Sequence, residues 1–371
     1  MKLTHIFLTA LLVAFTFLLH AQTEEQYKAW HTPSFQTLLS FIEENQNIKN
    51  ENETIYNFQV LNKAYETLEK DPKNPLILRI IGEIASIFAY NPPTENDFKS
   101  SSKNNNLTSR VMNLMKQNQK DRDEDKATWS TEALDKFQKA ANQNENESMM
   151  ALANFYRHGY YVLINDEAKL IYDIEKAINW FNKASVLGNI NAGITLGELY
   201  IRGEGVPEDI TKGEKLIEKA FHIPQTVYYE IGFQYAISPY ADSNSKPYEY
   251  HYDPKKALYF LTKAADLDQE DAALFLGKCY GGYISEDKFK LTSLSEEKSF
   301  HYLNKASANA TTNAEAYYLL ATCYLRGKGT KKDTNKAISM FEELLKEDNE
   351  LDKDALKTQI ETFKSEAKQK S

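Results

Sequence analysis

Cysteine is nearly absent from this chain: Cys279 and Cys323 are the only two in 371 residues, too few for a disulfide-framed scaffold. No surplus of basic residues exists either. Lys and Arg total 44 against 53 Asp and Glu, a formal net charge of −9. Nucleic acid and anionic membranes attract surfaces rich in gathered Lys and Arg, so this balance argues against both. The chain has no Gly-Lys-Ser/Thr, and its Gly-x-Gly pairs at Gly203/Gly205 and Gly327/Gly329 lack a preceding strand and a third glycine, so they do not read as phosphate loops. His158, His222, His251 and His301 stand isolated, with no His-x-x-x-His or Cys-x-x-Cys spacing. These absences remove the usual signs of a metal centre, and no cofactor is expected.

One long apolar run is present, at the very start. Lys2 precedes Ile6 to Leu19, a stretch without charge, and His20-Ala21-Gln22 opens a polar region. Charge, apolar length and small-residue exit together predict a secretory signal peptide over residues 1–21. A spanning helix wants about 20 apolar residues, so an uncleaved anchor is the lesser reading. No second run of that length follows. The expectation is an exported protein of a bacterial periplasm or cell envelope, or a secreted one, with no stable membrane insertion after cleavage.

The remaining length, about 350 residues, exceeds a usual single core unless the architecture is a stack of repeats. A repeat is present. Lys176-Ala177, Lys212-Gly213, Lys256-Ala257, Lys298-Ser299 and Lys336-Ala337 open five similar segments. Each carries a bulky pair: Trp180-Phe181, Leu216-Ile217, Phe260-Leu261, Tyr302-Leu303 and Met340-Phe341. In the first four a second Lys-Ala pair follows, at Lys183-Ala184, Lys219-Ala220, Lys263-Ala264 and Lys305-Ala306. Spacings of three, four and seven place these residues on one helical stripe. Glu132-Ala133, Phe137 and Lys139-Ala140 form a weaker sixth copy. Asp173, Asp209, Asp253, Ser295 and Asp333 precede the five segments as helix caps, and Pro254 sits at a first helical position.

A second motif alternates with the first: Leu152-Ala153-x-x-Tyr156, Leu196-Gly197-x-x-Tyr200, Ile231-Gly232-x-x-Tyr235, Leu276-Gly277-x-x-Tyr280 and Leu320-Ala321-x-x-Tyr324. A Gly within a helix costs about 1 kcal/mol in propensity against Ala, so close packing of another helix is expected there. Gly159, Gly203 with Gly205, Gly281, and Gly327 with Gly329 follow as left-handed helix stops. In the third copy Ser238-Pro239 stands where those glycines belong.

Helix, glycine turn and capped helix in this alternation resemble the Sel-1-like repeat family, a branch of the tetratricopeptide superfamily, over about residues 130–346. The likeness is strongest at Leu196 to Asp209 and at Leu320 to Asp333. Residues 55–90 look like a more ordinary tetratricopeptide element, with Asp71-Pro72 closing one helix and Asn74-Pro75 opening the next. The resemblance implies an all-α fold, a right-handed α-solenoid of antiparallel helix pairs. The expected organisation is an N-terminal helical region at 22–90, a polar linker at 91–126 with one short helix near Leu107 to Lys116, the repeats at 127–349, and a capping helix and tail at 350–371.

In such families the first helix of each pair lines a concave groove. The residue two after the repeated Leu/Ile varies here: Asn154, Glu198, Phe233, Lys278 and Thr322. These five are the candidate contacts, joined by Arg202 and Arg326, which can take a carboxylate. Tyr248, Tyr250 and Tyr252 lie in an insertion after Ser238; they either form a contact surface or fold back over the solenoid edge. The two cysteines fall at equivalent positions, one residue before Tyr280 and Tyr324; they are either buried free thiols, which the roughly 8–10 Å spacing of packed helix axes favours, or a disulfide, which needs Cα atoms within about 7 Å. The expectation is a scaffold rather than an enzyme, binding an unidentified protein or peptide. Neutralisation of an exported toxin is one use known for such repeats. The alternative is an envelope hydrolase acting on cell-wall or β-lactam-type substrates, which a cleft of clustered, pKa-shifted side chains would favour.

Overall fold

A computed structural model describes residues 28–46, 49, 53–90, 122–165, 167–237, 252–284, 291–307, 313–347 and 349–369. They divide into two compact units, residues 1–220 and 221–371. The signal segment, the short helix expected near Leu107, and Tyr248 and Tyr250 lie outside the described residues.

Unit one opens with α1 (Pro33–Glu44), α2 (Glu53–Lys70) and α3 (Pro75–Tyr90). Asn74 caps α3, its Oδ1 accepting from the amides of Leu76 and Ile77 at 3.1 and 3.3 Å. Then come α4 (Arg122–Ala141), α5 (Asn146–His158), the strands β1 (Tyr160–Ile164) and β2 (Glu167–Ile171), α6 (Ile174–Val186), α7 (Ile190–Arg202) and α8 (Ile210–Ala220). Helix α4 starts at Arg122, inside the stretch expected to be linker. One continuous apolar core runs through this unit, with Trp129, Phe58, Phe88, Phe137 and Phe181 fully buried.

Unit two comprises α9 (Pro224–Ile237), α10 (Pro254–Asp266), α11 (Glu270–Gly281), α12 (Glu296–Ala306), α13 (Ala314–Arg326), α14 (Thr334–Lys346) and α15 (Lys353–Gln369). Helix α15 packs on α14, with Leu356 and Ile360 buried and its other described face largely exposed, as the last helix of a stack requires.

The sequence repeat is a structural repeat of helix pairs: α5/α6, α7/α8, α9/α10, α11/α12 and α13/α14. In each pair the carbonyl of the motif tyrosine accepts from the amide of the next helix's cap. Asp173 N donates to Tyr156 O at 2.9 Å, Asp209 to Tyr200 at 2.8 Å, Asp253 to Tyr235 at 3.1 Å, Ser295 to Tyr280 at 3.0 Å and Asp333 to Tyr324 at 2.8 Å. The cap side chain then turns to the free amides of its own helix, as Asp333 Oδ1 does for Lys336 N at 2.9 Å. The lysine of that first turn lies over the same tyrosine's ring, from 5.3 Å at Lys176/Tyr156 to 3.9 Å at Lys212/Tyr200 and 4.0 Å at Lys336/Tyr324.

The helical glycines are contact points. A Cβ on Gly197 would stand 2.6 Å from Ile217 Cγ1 and 2.7 Å from the carbonyl oxygen of Gly213. Gly232 meets Leu261 on α10, and Gly277 meets Leu303 on α12. Gly82 of α3 meets Phe137 of α4 in the same manner. Moreover, the turn from α4 to α5 repeats those from α6 to α7 and α10 to α11. Glu145, Asn189 and Gln269 donate to the carbonyls of Ala140, Ala184 and Ala264, each after a residue of positive φ, Asn144, Gly188 and Asp268. Helices α3 and α4 are therefore a sixth pair.

Two details differ from expectation. Gly281 ends α11 as a helical residue, and Gly282 (φ 69°, ψ 28°) is the left-handed stop. Gly159 has φ 96° and ψ 156°, which is not the left-handed helical conformation. It leads into an antiparallel β1–β2 hairpin in register Tyr160↔Ile171 to Ile164↔Glu167. The run Tyr-Tyr-Val-Leu-Ile, β-branched and aromatic, is the signal for that hairpin.

Alanine at Gly197 gains about 1 kcal/mol of helix propensity but drives its methyl into a backbone carbonyl that cannot rotate away. The expected net loss is about 1–2 kcal/mol, the scale of core overpacking, read from the shift in urea unfolding midpoint. Asp333→Ala removes a cap and is expected to cost about 1 kcal/mol in the same assay.

Candidate functional site

The position two residues after the Leu/Ile of each first helix is half-buried in all five repeats, neither core nor free surface. Its chemistry changes from repeat to repeat. In unit two, Phe233 of α9 meets Tyr229 at 5.7 Å and Phe275 of α11 at 5.4 Å between ring centroids. All three rings keep part of their surface accessible, so two adjacent first helices share an aromatic strip. Lys278 of α11 reaches Glu315 at the start of α13, Nζ to Oε1 2.6 Å. Thr322 donates its hydroxyl to Tyr318 O at 3.0 Å. Arg326 is exposed and Tyr252 half-buried. Glu198 is half-buried on α7.

Arg202 does take a carboxylate, but from within the chain. It pairs with Glu204, which also holds Arg157 through Nε at 2.9 Å and Nη2 at 3.1 Å. The side chains of Arg157, Arg202 and Glu204 retain 9, 8 and 6% of their surface, so this cluster ties the glycine turn after α7 to α5. Arg202 is thus a buried structural partner rather than a groove contact.

Cys279 and Cys323 are both free and buried. Burial pushes the Cys279 thiol up to about 12 and raises that of Cys323, so neither supplies a thiolate at neutral pH.

Unit one holds a cavity of about 300 Å³ between α3 and α5. Asn154 lines it, together with Arg79, Glu83, Phe137, Glu147 and Phe155. Arg79, 5% exposed, donates Nη1 to Glu83 Oε1 at 3.1 Å, and its Nε lies 3.7 Å from Glu145 Oε2. Glu147 accepts from Asn189 Nδ2 at 2.9 Å. Burial works against the Arg79 charge, but Glu83, Glu145 and Glu147 outweigh it and the guanidinium is held protonated. Burial raises the pKa of Glu83 and of Glu147. Arg79 pulls each down, and repulsion from the neighbouring glutamates adds to the rise.

Of the residues lining this cavity the sequence singled out Asn154, and not Arg79, Glu83 or Glu147. The signal was available: Ile81-Gly82-x-x-Ala85 is the first-helix motif without its tyrosine, and Glu83 occupies the same register position as Asn154, Glu198, Phe233, Lys278 and Thr322. The helix pair α3/α4 was obscured by the long polar segment inside it. Among the described residues, no three His, Cys, Asp or Glu converge as metal ligands, and no helix is long and apolar enough to cross a membrane.

A model of the Sel1 repeat matches residues 146–189, 195–221, 248–269, 271–310 and 314–349. No curated protein matches the chain. Solved structures similar to it include a Sel1 repeat protein from Oxalobacter formigenes, 20% identical, covering 82% of this chain and 99% of that one with a TM-score of 0.34. Another is c5321, a protective antigen of uropathogenic Escherichia coli displaying an SLR fold, at 15% identity, 91% and 78% coverage and TM-score 0.29. A third is the immunity protein Pa5087 from Pseudomonas aeruginosa, at 20% identity, 48% and 73% coverage and TM-score 0.22.

The raised Glu147 pKa sets a pH signature. Its folded value lies above the unfolded one, so the cost of its charge is fully present above the folded pKa and absent below the unfolded pKa. Glu147→Gln keeps an acceptor for Asn189 and removes that charge. It is expected to unfold at a temperature at or above wild type at pH 7, with the advantage vanishing as pH falls through the ordinary carboxylate range, measured by thermal denaturation across pH.

Proposed function

The chain belongs to the Sel1 repeat family through five repeats between residues 146 and 349, and from that premise we propose that it is an exported scaffold of the bacterial cell envelope that grips a protein or peptide without transforming it. Contacts come from the first helices. The observation that carries this reading is the half-buried strip of Tyr229, Phe233 and Phe275 across α9 and α11. Aromatic rings held in place by packing, yet not sealed into the core, offer large contact area at small entropic cost. Glu198, Lys278, Thr322 and Arg326 flank such contacts with polar groups, and Tyr252 and its insertion neighbours Tyr248 and Tyr250 are further candidates. Export rests on the apolar run at Ile6 to Leu19.

A hydrolase is the second reading, and the cavity with its two raised carboxylates favours it, since such groups can serve as acid or base. Against it, the one hydroxyl of Ser lining that cavity, Ser86 Oγ, donates to Glu83 O at 2.7 Å within its own helix. That bond turns the hydroxyl's proton to the backbone of its own helix.

Chain beginning after residue 21, used to capture partners from envelope extract, should retain a specific protein that Phe233→Ala/Phe275→Ala loses by about tenfold or more, the scale of an aromatic hot spot. Circular dichroism should show the variant folded. Equal capture by both chains would discard the strip, and turnover of a cell-wall substrate that Glu147→Gln abolishes would replace the scaffold by the enzyme.

A further inference from the structure

The two units place different residues at one repeated pair of positions. Lys278 stands two after Leu276 in α11, and Glu315 stands five before Leu320 in the next first helix, α13; they form an ion pair at 2.6 Å. In unit one the corresponding positions are Glu83, two after Ile81 in α3, and Glu147, five before Leu152 in α5. Here both are carboxylates, and the space beside them is the cavity of about 300 Å³. Among the described residues lining this space, no lysine takes the place that Lys278 has beside Glu315.

Arg79 does not replace it. That guanidinium is committed to Glu83 at 3.1 Å and lies 3.7 Å from Glu145, leaving three carboxylates around one cation. Glu145, 1% exposed, caps α5 by accepting from Ser148 N at 2.6 Å, while its other oxygen, Oε1, is buried without a hydrogen-bond partner. Glu83 keeps 24% of its side-chain surface accessible. The rest of the lining is mostly apolar or aromatic, Phe137, Met150, Ala151 and Phe155 with Tyr90 beside them, and Ser86, Asn154 and His158 are its further polar members. Such walls suit a methylene stem and, at the rings, a cation. A bare metal ion fits poorly, because the described carboxylates do not converge as a ligand set.

We propose that the cavity between α3 and α5 receives one lysine or arginine side chain of a partner protein, its cationic head between Glu83 and Glu147 and its stem along Phe137, Met150 and Phe155. The inference rests on the scaffold reading for the identity of the ligand's owner, but not for the chemistry of the pocket. Salt weakens the head-group contact, and the apolar stem contact survives it.

The test uses capped single residues as probes: the N-acetyl methylamides of lysine, arginine and norleucine, with acetate as an anion control. Binding to the chain lacking residues 1–21 is followed by amide NMR at Ala151 and Asn154. The lysine or arginine probe should give a saturable, millimolar shift. Norleucine should bind about tenfold more weakly or less, the scale of a charge-assisted hydrogen bond. Glu147→Gln and Glu83→Gln should weaken the cationic probes by a similar factor with their spectra otherwise folded, and leave norleucine unchanged. Equal binding of lysine and norleucine probes would overturn the proposal in favour of a purely apolar pocket. Preferential binding of acetate would overturn it in favour of Arg79 as an anion site, and no shift by any probe would overturn it outright. Shifts here without any captured protein would sink the scaffold reading alone; capture without shifts would sink this inference alone.

Discussion

Each repeat depends on one clamp, in which a tyrosine carbonyl at the end of the first helix accepts from the backbone amide of the residue that caps the second. Helix ends leave carbonyls and amides unsatisfied, and this bond settles one of each in five successive pairs. The cap's side chain then satisfies the second helix's first turn, and the lysine of that turn covers the tyrosine ring. Polar needs at both ends of the connection are met inside a single repeat. The turn between can therefore be a seven-residue glycine loop, a β-hairpin or a long insertion without disturbing the helices it joins.

With the ends clamped, the faces are free to close. Gly82, Gly197, Gly232 and Gly277 bring the first helix against Phe137, Ile217, Leu261 and Leu303 of the second. The residue after each glycine is then carried just outside the contact, half-buried at every repeat. The packing that fixes the backbone consequently leaves that side chain unconstrained by the core, and the chain fills it with Glu, Asn, Glu, Phe, Lys and Thr. Where neighbouring residues complement one another, as Lys278 and Glu315 do, the position is closed. Where they repel, as Glu83 and Glu147 do, two carboxylates border the same cavity and burial raises the pKa of each.

Much of this was legible in the residues. The Lys-Ala and Leu-Gly-x-x-Tyr motifs report packing and clamping, which are local and recur, so spacing alone located the helix pairs, the caps at Asp173, Asp253, Ser295 and Asp333, and the buried thiols. The third pair was readable from Ile231-Gly232-x-x-Tyr235 although its family match covers only the segment from 248 to 269. Repetition failed as a guide where a copy was altered. The tyrosine-less motif at Ile81 hid α3/α4, and the hairpin after Gly159 took the place of a turn.

The sequence by itself determined the helical period, the cap chemistry, the sites of close approach and the acidic balance of the chain, because each is set by residues within one turn or one repeat of each other. Only the tertiary structure decided how charges meet: that Arg202 turns inward to share Glu204 with Arg157, that Lys278 finds Glu315, and that Arg79 gathers three glutamates at the edge of a cavity. Those pairings span from a few to more than sixty residues of chain. They depend on which side of a helix faces its neighbour, a relation that the linear order of residues does not contain.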